Sequence, residues 1–363
     1  MNSRIETVWR VKADAKTIEH RARGIAVEQS VEMPVEPIDD AFVLNEILGR
    51  VENIRETAKG EYEVKIALAS ITTGYEAGQL VNMILGNTSL QDGITLIDAS
   101  FPPDIAKAFG GPNHGLEGLR ARVNAAGALS ATALKPQGST PEALAKLAYA
   151  IALGGIDYIK DDHGIADQFY SPFAERVPLI AEAVAKAGRQ TGIPTRYLPS
   201  LNGNLDQQRR QIEICRASGV DGVLIAPMIC GFSQFATLKN ENPGFVFMTH
   251  PSMGGWKMDV ALLFGKLLRL LGSDATVYAN YGGRFGYTAQ QCRAIADFAL
   301  AEWPGIKPCV PVPAGGMLLE RIPELLDFFG QGVMLLIGGS LLSQKDKITE
   351  ETRKFCDAVR AYR

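Results

Sequence analysis

The sequence predicts an α/β protein with a C-terminal TIM (β/α)8 barrel preceded by an N-terminal α+β ferredoxin-like domain. Three observations lead there. From about residue 128 short apolar strands alternate with amphipathic helices, eight times over roughly 230 residues, which is the size of such a barrel. Residues 1 to about 110 lack that rhythm and follow a β-α-β-β-α-β order instead. The unusual polar residues and glycines gather at the carboxyl ends of the barrel strands, where active sites of this fold lie.

In the N-terminal part, Ile5 to Val11 reads as a strand and Ala15 to Val27 as a helix. Leu44 to Asn53 and Tyr62 to Ser70 read as a hairpin around the polar Thr57-Ala58-Lys59-Gly60. A helix over Gly74 to Ile84 and a strand over Ile94 to Ala99 complete the set. Phe101-Pro102-Pro103 and Gly110-Gly111-Pro112 punctuate the way out. The expected domains are therefore 1–112 and 113–363.

The barrel strands are expected at Leu129–Leu134, Tyr158–Asp162, Thr195–Leu198, Gly222–Ala226, Phe245–His250, Thr276–Ala279, Cys309–Val312 and Met334–Ile337. Helices between them include Pro141–Ala152, Pro172–Ala187, Asp206–Ala217, Val260–Leu271 and Thr288–Leu300. A doubly wound sheet is the alternative, but it rarely needs eight consecutive strands of this kind.

Composition narrows the function classes. The 363 residues exceed the usual single-domain size, and 46% hydrophobic content with a mean hydropathy near zero describes a soluble globular chain. A net charge of −3 gives no reason to expect nucleic-acid or membrane partners. No apolar run resembles a signal peptide or approaches the roughly 18 residues of a membrane span. The five cysteines are widely spaced and odd in number, matching no zinc or disulfide pattern, so a reducing cytoplasm is expected.

The stretch that concentrates chemistry is Gly154 to His163. Its strand ends in Lys160, Asp161, Asp162 and His163, four ionisable groups that are costly to place without water, a metal or a substrate. The period of two puts Lys160 and Asp162 on one face and Asp161 on the other. Lys160, Asp162 and His163 are candidate ligands of Mg²⁺, which favours oxygen donors. Lys160 could also act as a base, or take up CO₂ to become a carbamate ligand. A plain salt-bridge cluster is the alternative. Lys135, beside Pro136 at the end of strand one, is a candidate acid/base or an exposed loop lysine. His250 ends strand five as a substrate or proton-relay residue, or as a hydrogen-bonded structural histidine. Gly315-Gly316 and Gly338-Gly339 follow strands seven and eight, where barrels often hold a phosphate.

Gly154-Gly155-Ile156-Asp157-Tyr158-Ile159-Lys160-Asp161-Asp162 resembles the carbamylation-lysine motif of the ribulose-bisphosphate carboxylase (RuBisCO) large-subunit superfamily. Ala26-Val27-Glu28-Gln29-Ser30, Gly86-Asn87, Leu134-Lys135-Pro136, Val310 to Gly316 and Ile337-Gly338-Gly339 extend the likeness over nearly the whole chain. The resemblance implies a dimer whose active sites lie between subunits, with Glu28 and Asn87 reaching the partner's barrel mouth.

Departures decide which kind of member is expected. The carboxylase has glutamate where this chain has His163, a lysine at Gln137, an arginine at Pro251 and a serine at Ala314. Its mobile strand-six loop here reads Tyr281-Gly282-Gly283-Arg284-Phe285, and no histidine remains on that strand. One phosphate site, at Gly316, Gly338 and Gly339, is kept; the other is lost. The chain thus resembles a RuBisCO-like protein that handles a monophosphate.

That resemblance implies a metal-dependent enolising isomerase, with 5-methylthioribulose 1-phosphate as the substrate, in methionine salvage. The expected set is Lys135, Lys160 and His250 as catalytic residues, with Glu28, Asn87 and Arg284 contacting substrate. Mg²⁺ would be held by Asp162, His163 and a carbamylated Lys160. Alternatives are a 2,3-diketo-5-methylthiopentyl-1-phosphate enolase, for which a lysine is missing at Asn87, and a 3-oxo-isoapionate 4-phosphate decarboxylase. A regulatory protein on a decayed carboxylase scaffold is the non-enzyme reading. The expected assembly is a homodimer with shared sites.

Overall fold

The computed structural model describes residues 3–255 and 257–362. It separates into two compact units. One comprises the residues up to Gly110 together with Met253–Leu263, and the other comprises Gly111–Ser252 and the chain from Phe264 onward.

The first unit contains β1 (Arg4–Lys12), α1 (Ile18–Glu28), β2 (Arg50–Ala58), β3 (Glu61–Ala69), α2 (Ala77–Ile84) and β4 (Ile94–Ser100). Its four strands pair antiparallel in the order β2-β3-β1-β4, as a ferredoxin-like unit requires. In β1 the alternation is plain: Ile5, Thr7, Trp9 and Val11 are buried while Glu6, Arg10 and Lys12 face out. Helix α1 buries Ile18, Ala22, Ile25 and Ala26, the stripe expected of an amphipathic helix.

One strand differs from its sequence expectation. The apolar run beginning at Leu44 does not extend; Val43–Ile47 coils into a π-helical turn, and β2 starts only at Arg50. Val43, Leu44, Ile47 and Leu48 are spaced i, i+1, i+4 and i+5, which is a helical stripe. Gly49 then passes so close to α1 that a Cβ there would lie 2.4 Å from the Ala26 carbonyl oxygen. Strand β2 itself buries no residue, so an edge strand without an apolar face leaves no period to read.

The second unit is a closed barrel of eight parallel strands. These are β5 (Leu129–Leu134), β6 (Tyr158–Asp161), β7 (Arg196–Leu198), β8 (Gly222–Ile225), β9 (Val246–Thr249), β10 (Ala275–Ala279), β11 (Val310–Ala314) and β12 (Met334–Ile337). Each pairs with its sequence neighbours, β12 returns to β5, and a bridge between Ser200 and Leu224 closes β7 on β8. Inward side chains at alternate positions fill the interior: Leu129, Ala131, Tyr158, Leu198, Leu224, Val246, Met248, Val277, Val312 and Leu336 are among them. Leu119 and Val123 of the helix Gly115–Val123 pack against this core, and the Tyr158 hydroxyl donates to the Leu119 carbonyl at 2.8 Å.

The surrounding helices begin where the sequence places caps. Thr140 caps Pro141–Ala152, Asn204 forms a capping box with Gln207 at Leu205–Ala217, and Thr288 does so with Gln291 at Ala289–Leu300. The segment expected as one helix over 260–271 is a π-helical turn, Ala261–Leu267, continued by the α-helical Leu268–Leu271. Among the described residues no helix is long and apolar enough to cross a membrane.

Candidate active site

The pleat of the barrel strands decides which side chains enter its mouth. Tyr158 points inward, so two residues on Lys160 does as well, and Asp162 follows in the same direction. The same count from Leu129 and Ala131 brings Lys135 inward, and from Val246 and Met248 it brings His250. Residues on three strands, far apart in the chain, thus share one layer above the core.

Their contacts bear this out. Lys135 Nζ donates to Asp162 Oδ1 at 2.7 Å, and His163 Nδ1 lies 3.5 Å from the same oxygen. The His163 and His250 rings are stacked, 4.1 Å between centroids and 14° between planes. Burial pulls Asp162 upward, but His163 and Lys135 beside it outweigh that and hold its carboxyl well below the usual carboxylate range. Lys160 is only 3% exposed and donates to the Asp161 carbonyl at 3.0 Å. Burial is the chief reason its amine is pushed down to about 8; Asp162 opposes the shift and Lys135 adds to it. His250 is pushed down to about 2, again mainly by burial, then by the charges of Lys160 and His163.

Asp161 faces the other way, as the strand period predicts. It is fully buried on the outer side of β6, accepting from the Tyr197 hydroxyl at 2.7 Å and the Ser200 N–H at 3.1 Å, with Arg176 Nη2 3.3 Å away.

The glycines of β11 and β12 meet through their loops. Ser340 Oγ donates to the Met317 carbonyl at 2.8 Å, joining the turn after Gly338-Gly339 to the turn after Gly315-Gly316. Gly316 has φ +64°, and a Cβ there would lie 2.9 Å from the Gly282 carbonyl oxygen. Glycine is therefore required at that position by both conformation and space. A Cβ at Gly338 or Gly339 would meet nothing within 4 Å, so those two leave open room beside the backbone.

Arg284 lies exposed on the loop after β10, its guanidinium 4.7 Å from the centre of the Phe285 ring. Among the described residues no hydrogen bond, ion pair or ring contact joins it to the Lys135–Asp162 cluster. In the first unit Asn87 Nδ2 donates to Glu28 Oε1 at 3.0 Å and to Glu32 Oε1 at 2.8 Å, so Glu28 and Asn87 bond each other within the chain. Glu32 was not singled out from the sequence. Nor were Tyr197, Ser200 and Arg176, whose signal is a pairing between segments well separated along the chain. Ser252 was also missed: its N–H donates to His250 Nδ1 at 3.3 Å and its hydroxyl lies 2.9 Å from the same nitrogen.

As unmodified side chains, Asp162 and His163 are the two donors a divalent cation would meet, and among the described residues no cluster of three His, Cys, Asp or Glu forms a metal site. Their 3.5 Å separation suits neighbouring ligands of one cation, which sit about 3 Å apart for bonds of about 2.1 Å at right angles. A carbamate on Lys160 would add the oxygens that Mg²⁺ prefers. A buried amine already driven toward its neutral form is the group that can take up CO₂. The residues present therefore fit a Mg²⁺ site if Lys160 is modified.

A family model described as the ribulose bisphosphate carboxylase large chain, catalytic domain, matches residues 115–350. The chain belongs to the RuBisCO large-chain family. It is similar to a 5-methylthioribulose-1-phosphate isomerase of Rhodospirillum rubrum, with 52% identity over 99% of this chain and 97% of the relative. It is also similar to ribulose bisphosphate carboxylase-like protein 1 of Rhodopseudomonas palustris, at 48% identity over 100% of this chain and 99% of the relative. A solved Rubisco-like protein from Rhodopseudomonas palustris superposes with a TM-score of 0.94 and 46% identity, covering 100% and 99% of the two chains. The RuBisCO-like fold expected from the motifs is thus the fold observed.

Proposed function

We propose that the chain is an enolising isomerase of a sugar monophosphate, acting on 5-methylthioribulose 1-phosphate. The observation that carries this reading is the single inward layer formed by Lys135, Lys160, Asp162 and His250, with joined glycine turns on β11 and β12. The 52%-identical isomerase, matched over nearly its whole length, supports the substrate.

The phosphate sits against the backbone of Gly316, Gly338 and Gly339, two of which offer room for an anion to approach. Lys135 Nζ, having given up its ammonium proton as substrate enters, removes a proton from the carbon beside the carbonyl and returns one to the former carbonyl carbon while the hydroxyl proton passes between the two oxygens, so the carbonyl moves along the chain without net oxidation. Asp162 holds that nitrogen in place. His250, neutral and with Nδ1 engaged by Ser252, presents Nε2–H to a substrate oxygen. A Mg²⁺ held by Asp162, His163 and a carbamylated Lys160 would supply positive charge beside the oxygen that becomes anionic as the proton leaves. Arg284 is assigned to the substrate's outer end. The half-buried Glu28 and the exposed Asn87 are assigned to the mouth of a second copy, which makes the working unit a homodimer.

The test is incubation of 5-methylthioribulose 1-phosphate with the protein and Mg²⁺ in D₂O. Deuterium at the carbons flanking the carbonyl, together with an isomeric phosphate, is the expected result. Neither label nor product rejects the isomerase, and release of CO₂ from an oxo-acid phosphate would assign a decarboxylase instead.

A further inference from the structure

We propose that Asp161 and Arg176 are positioning residues whose buried pair sets where Asp162 and His163 hang in the barrel mouth. This rests on the reading that the mouth is the active site. Both side chains are fully shielded from solvent, and Arg176 Nη2 lies 3.3 Å from Asp161 Oδ2. Arg176 stands in the first turn of the helix Phe173–Thr191, behind the strand that carries the reactive groups.

The guanidinium does more than neutralise Asp161. Its Nη1 donates to the carbonyls of Ala166 at 2.8 Å and Ser171 at 2.6 Å. Those carbonyls belong to the segment 162–172 that starts at Asp162 and leads to the helix. The segment is knitted within itself: Ile165 N–H donates to the Asp162 carbonyl at 2.9 Å, and the Gln168 side chain bonds Gly164 and Ala166 at 2.8 and 2.7 Å. Arg176 therefore anchors a closed piece of chain to the outer face of β6, and Asp162 and His163 are its first two residues.

Geometry makes the anchor felt at the mouth. Asp161 lies between Lys160 and Asp162 on a strand whose side chains alternate, so its carboxylate is held outward while theirs are held inward. Tyr197, Ser200 and Arg176 together fix the carboxylate from three directions. Rotation of the strand end that moved Asp162 would pull Asp161 off all three. A buried ion pair is generally no more stabilising than apolar side chains of similar volume. Leucine and methionine could fill this space, but they could not hold the Ala166 and Ser171 carbonyls.

The experiment uses the full-length protein. The double variant Asp161→Leu with Arg176→Met keeps the volume and leaves no buried charge unpaired. Hydrogen–deuterium exchange of the amides in 163–172 is expected to rise by about tenfold or more, while the helix Ala289–Leu300 exchanges as in the wild type. On 5-methylthioribulose 1-phosphate, kcat is expected to fall roughly ten- to a hundredfold with KM nearly unchanged. Arg176→Lys, which keeps a cation beside Asp161 but loses the guanidinium fork, carries the same exchange expectation and serves if the double variant does not fold. Wild-type exchange of 163–172 in either folded variant overturns the proposal, as does full kcat with a loosened segment. If the wild type does not turn over this substrate, the isomerase reading fails on its own, and the exchange measurement still decides for or against the anchor.

Discussion

His163 and His250 stack face to face, 4.1 Å apart, so the mouth of the barrel holds two imidazoles as one layer. The residue that departs from the carboxylase pattern is thereby built into the site. The arrangement requires that the two rings are not both charged. His250 is the one kept neutral, by burial first and then by Lys160 and His163. With Ser252 N–H donating to Nδ1, its proton rests on Nε2. The chain has four histidines, which makes their ring protons tractable by NMR. Between pH 5 and 8 (about 1.5 units either side of the ordinary histidine value of about 6.5) the His250 signal is expected not to titrate, with His250→Gln for assignment. The stability sign follows. A histidine whose folded value is lowered stabilises fully above its unfolded value, and that contribution declines as pH falls below about 6.5. His250→Gln should therefore flatten the acid slope of thermal stability. A signal titrating near 6.5 would contradict the assignment.

Lys135 carries the proton in the proposed reaction, and its own structural role is small. Its side chain is 40% exposed and Asp162 15%, so their 2.7 Å ion pair is worth about 1 kcal/mol or less. Lys135→Met is expected to shift the melting temperature by only a few degrees. Loss of an acid/base group costs roughly 10²- to 10⁴-fold in kcat. Steady-state kinetics beside a thermal melt separates the two effects. Full activity in this variant would remove Lys135 from the mechanism.

What the sequence could and could not tell follows from where the information resides. The barrel strands were legible because each is a short apolar run ended by turn residues, and the strand-end rule then located Lys135, Lys160, Asp162 and His250. The alternation that turns Asp161 away from Lys160 was equally legible. What Asp161 turns toward was not: Tyr197 and Arg176 lie on different elements, and no local pattern announces a buried pairing. Ser252 escaped notice because a serine two residues after a histidine is unremarkable until the chain bends back on the ring. In the first unit, β2 was placed too early because it is an exposed edge strand, while the helically spaced apolar residues before it looked extended. Glu32 completes the Asn87 cluster from beyond the end of α1, where φ is +54° and the helix pattern has already stopped.

Lys160 tests the metal reading. A lysine only 3% exposed, with its amine pushed down to about 8, is roughly one-tenth neutral at pH 7, enough to react with dissolved CO₂. Incubation with ¹³CO₂ and Mg²⁺ is expected to give a single carbamate resonance that strengthens as pH rises through about 8. Lys160→Met fills the same buried space with an apolar chain of similar length and should remain folded. It should lose the resonance and, with it, tight binding of Mn²⁺ measured by electron paramagnetic resonance. A wild type that binds Mn²⁺ tightly with no carbamate signal would leave Asp162 and His163 as the protein ligands.

The two glycine turns separate a conformational requirement from a binding one. Gly316 has φ +64° and packs within 3.1 Å of Gly282 and Gly283 once a Cβ is added. Gly316→Ala should thus cost about 1–2 kcal/mol from backbone conformation alone, and more because the β10 loop must move. At Gly339 a Cβ meets nothing within 4 Å, and its φ is not in the left-handed region. Gly339→Ala should leave the melting temperature nearly unchanged. If the phosphate lies against this backbone, the added methyl group intrudes on it, and KM should rise roughly tenfold, the equivalent of about 1.4 kcal/mol, with kcat less affected. Inorganic phosphate should then protect the wild type against thermal unfolding more than it protects Gly339→Ala. Equal protection of the two would place the anion elsewhere on the barrel.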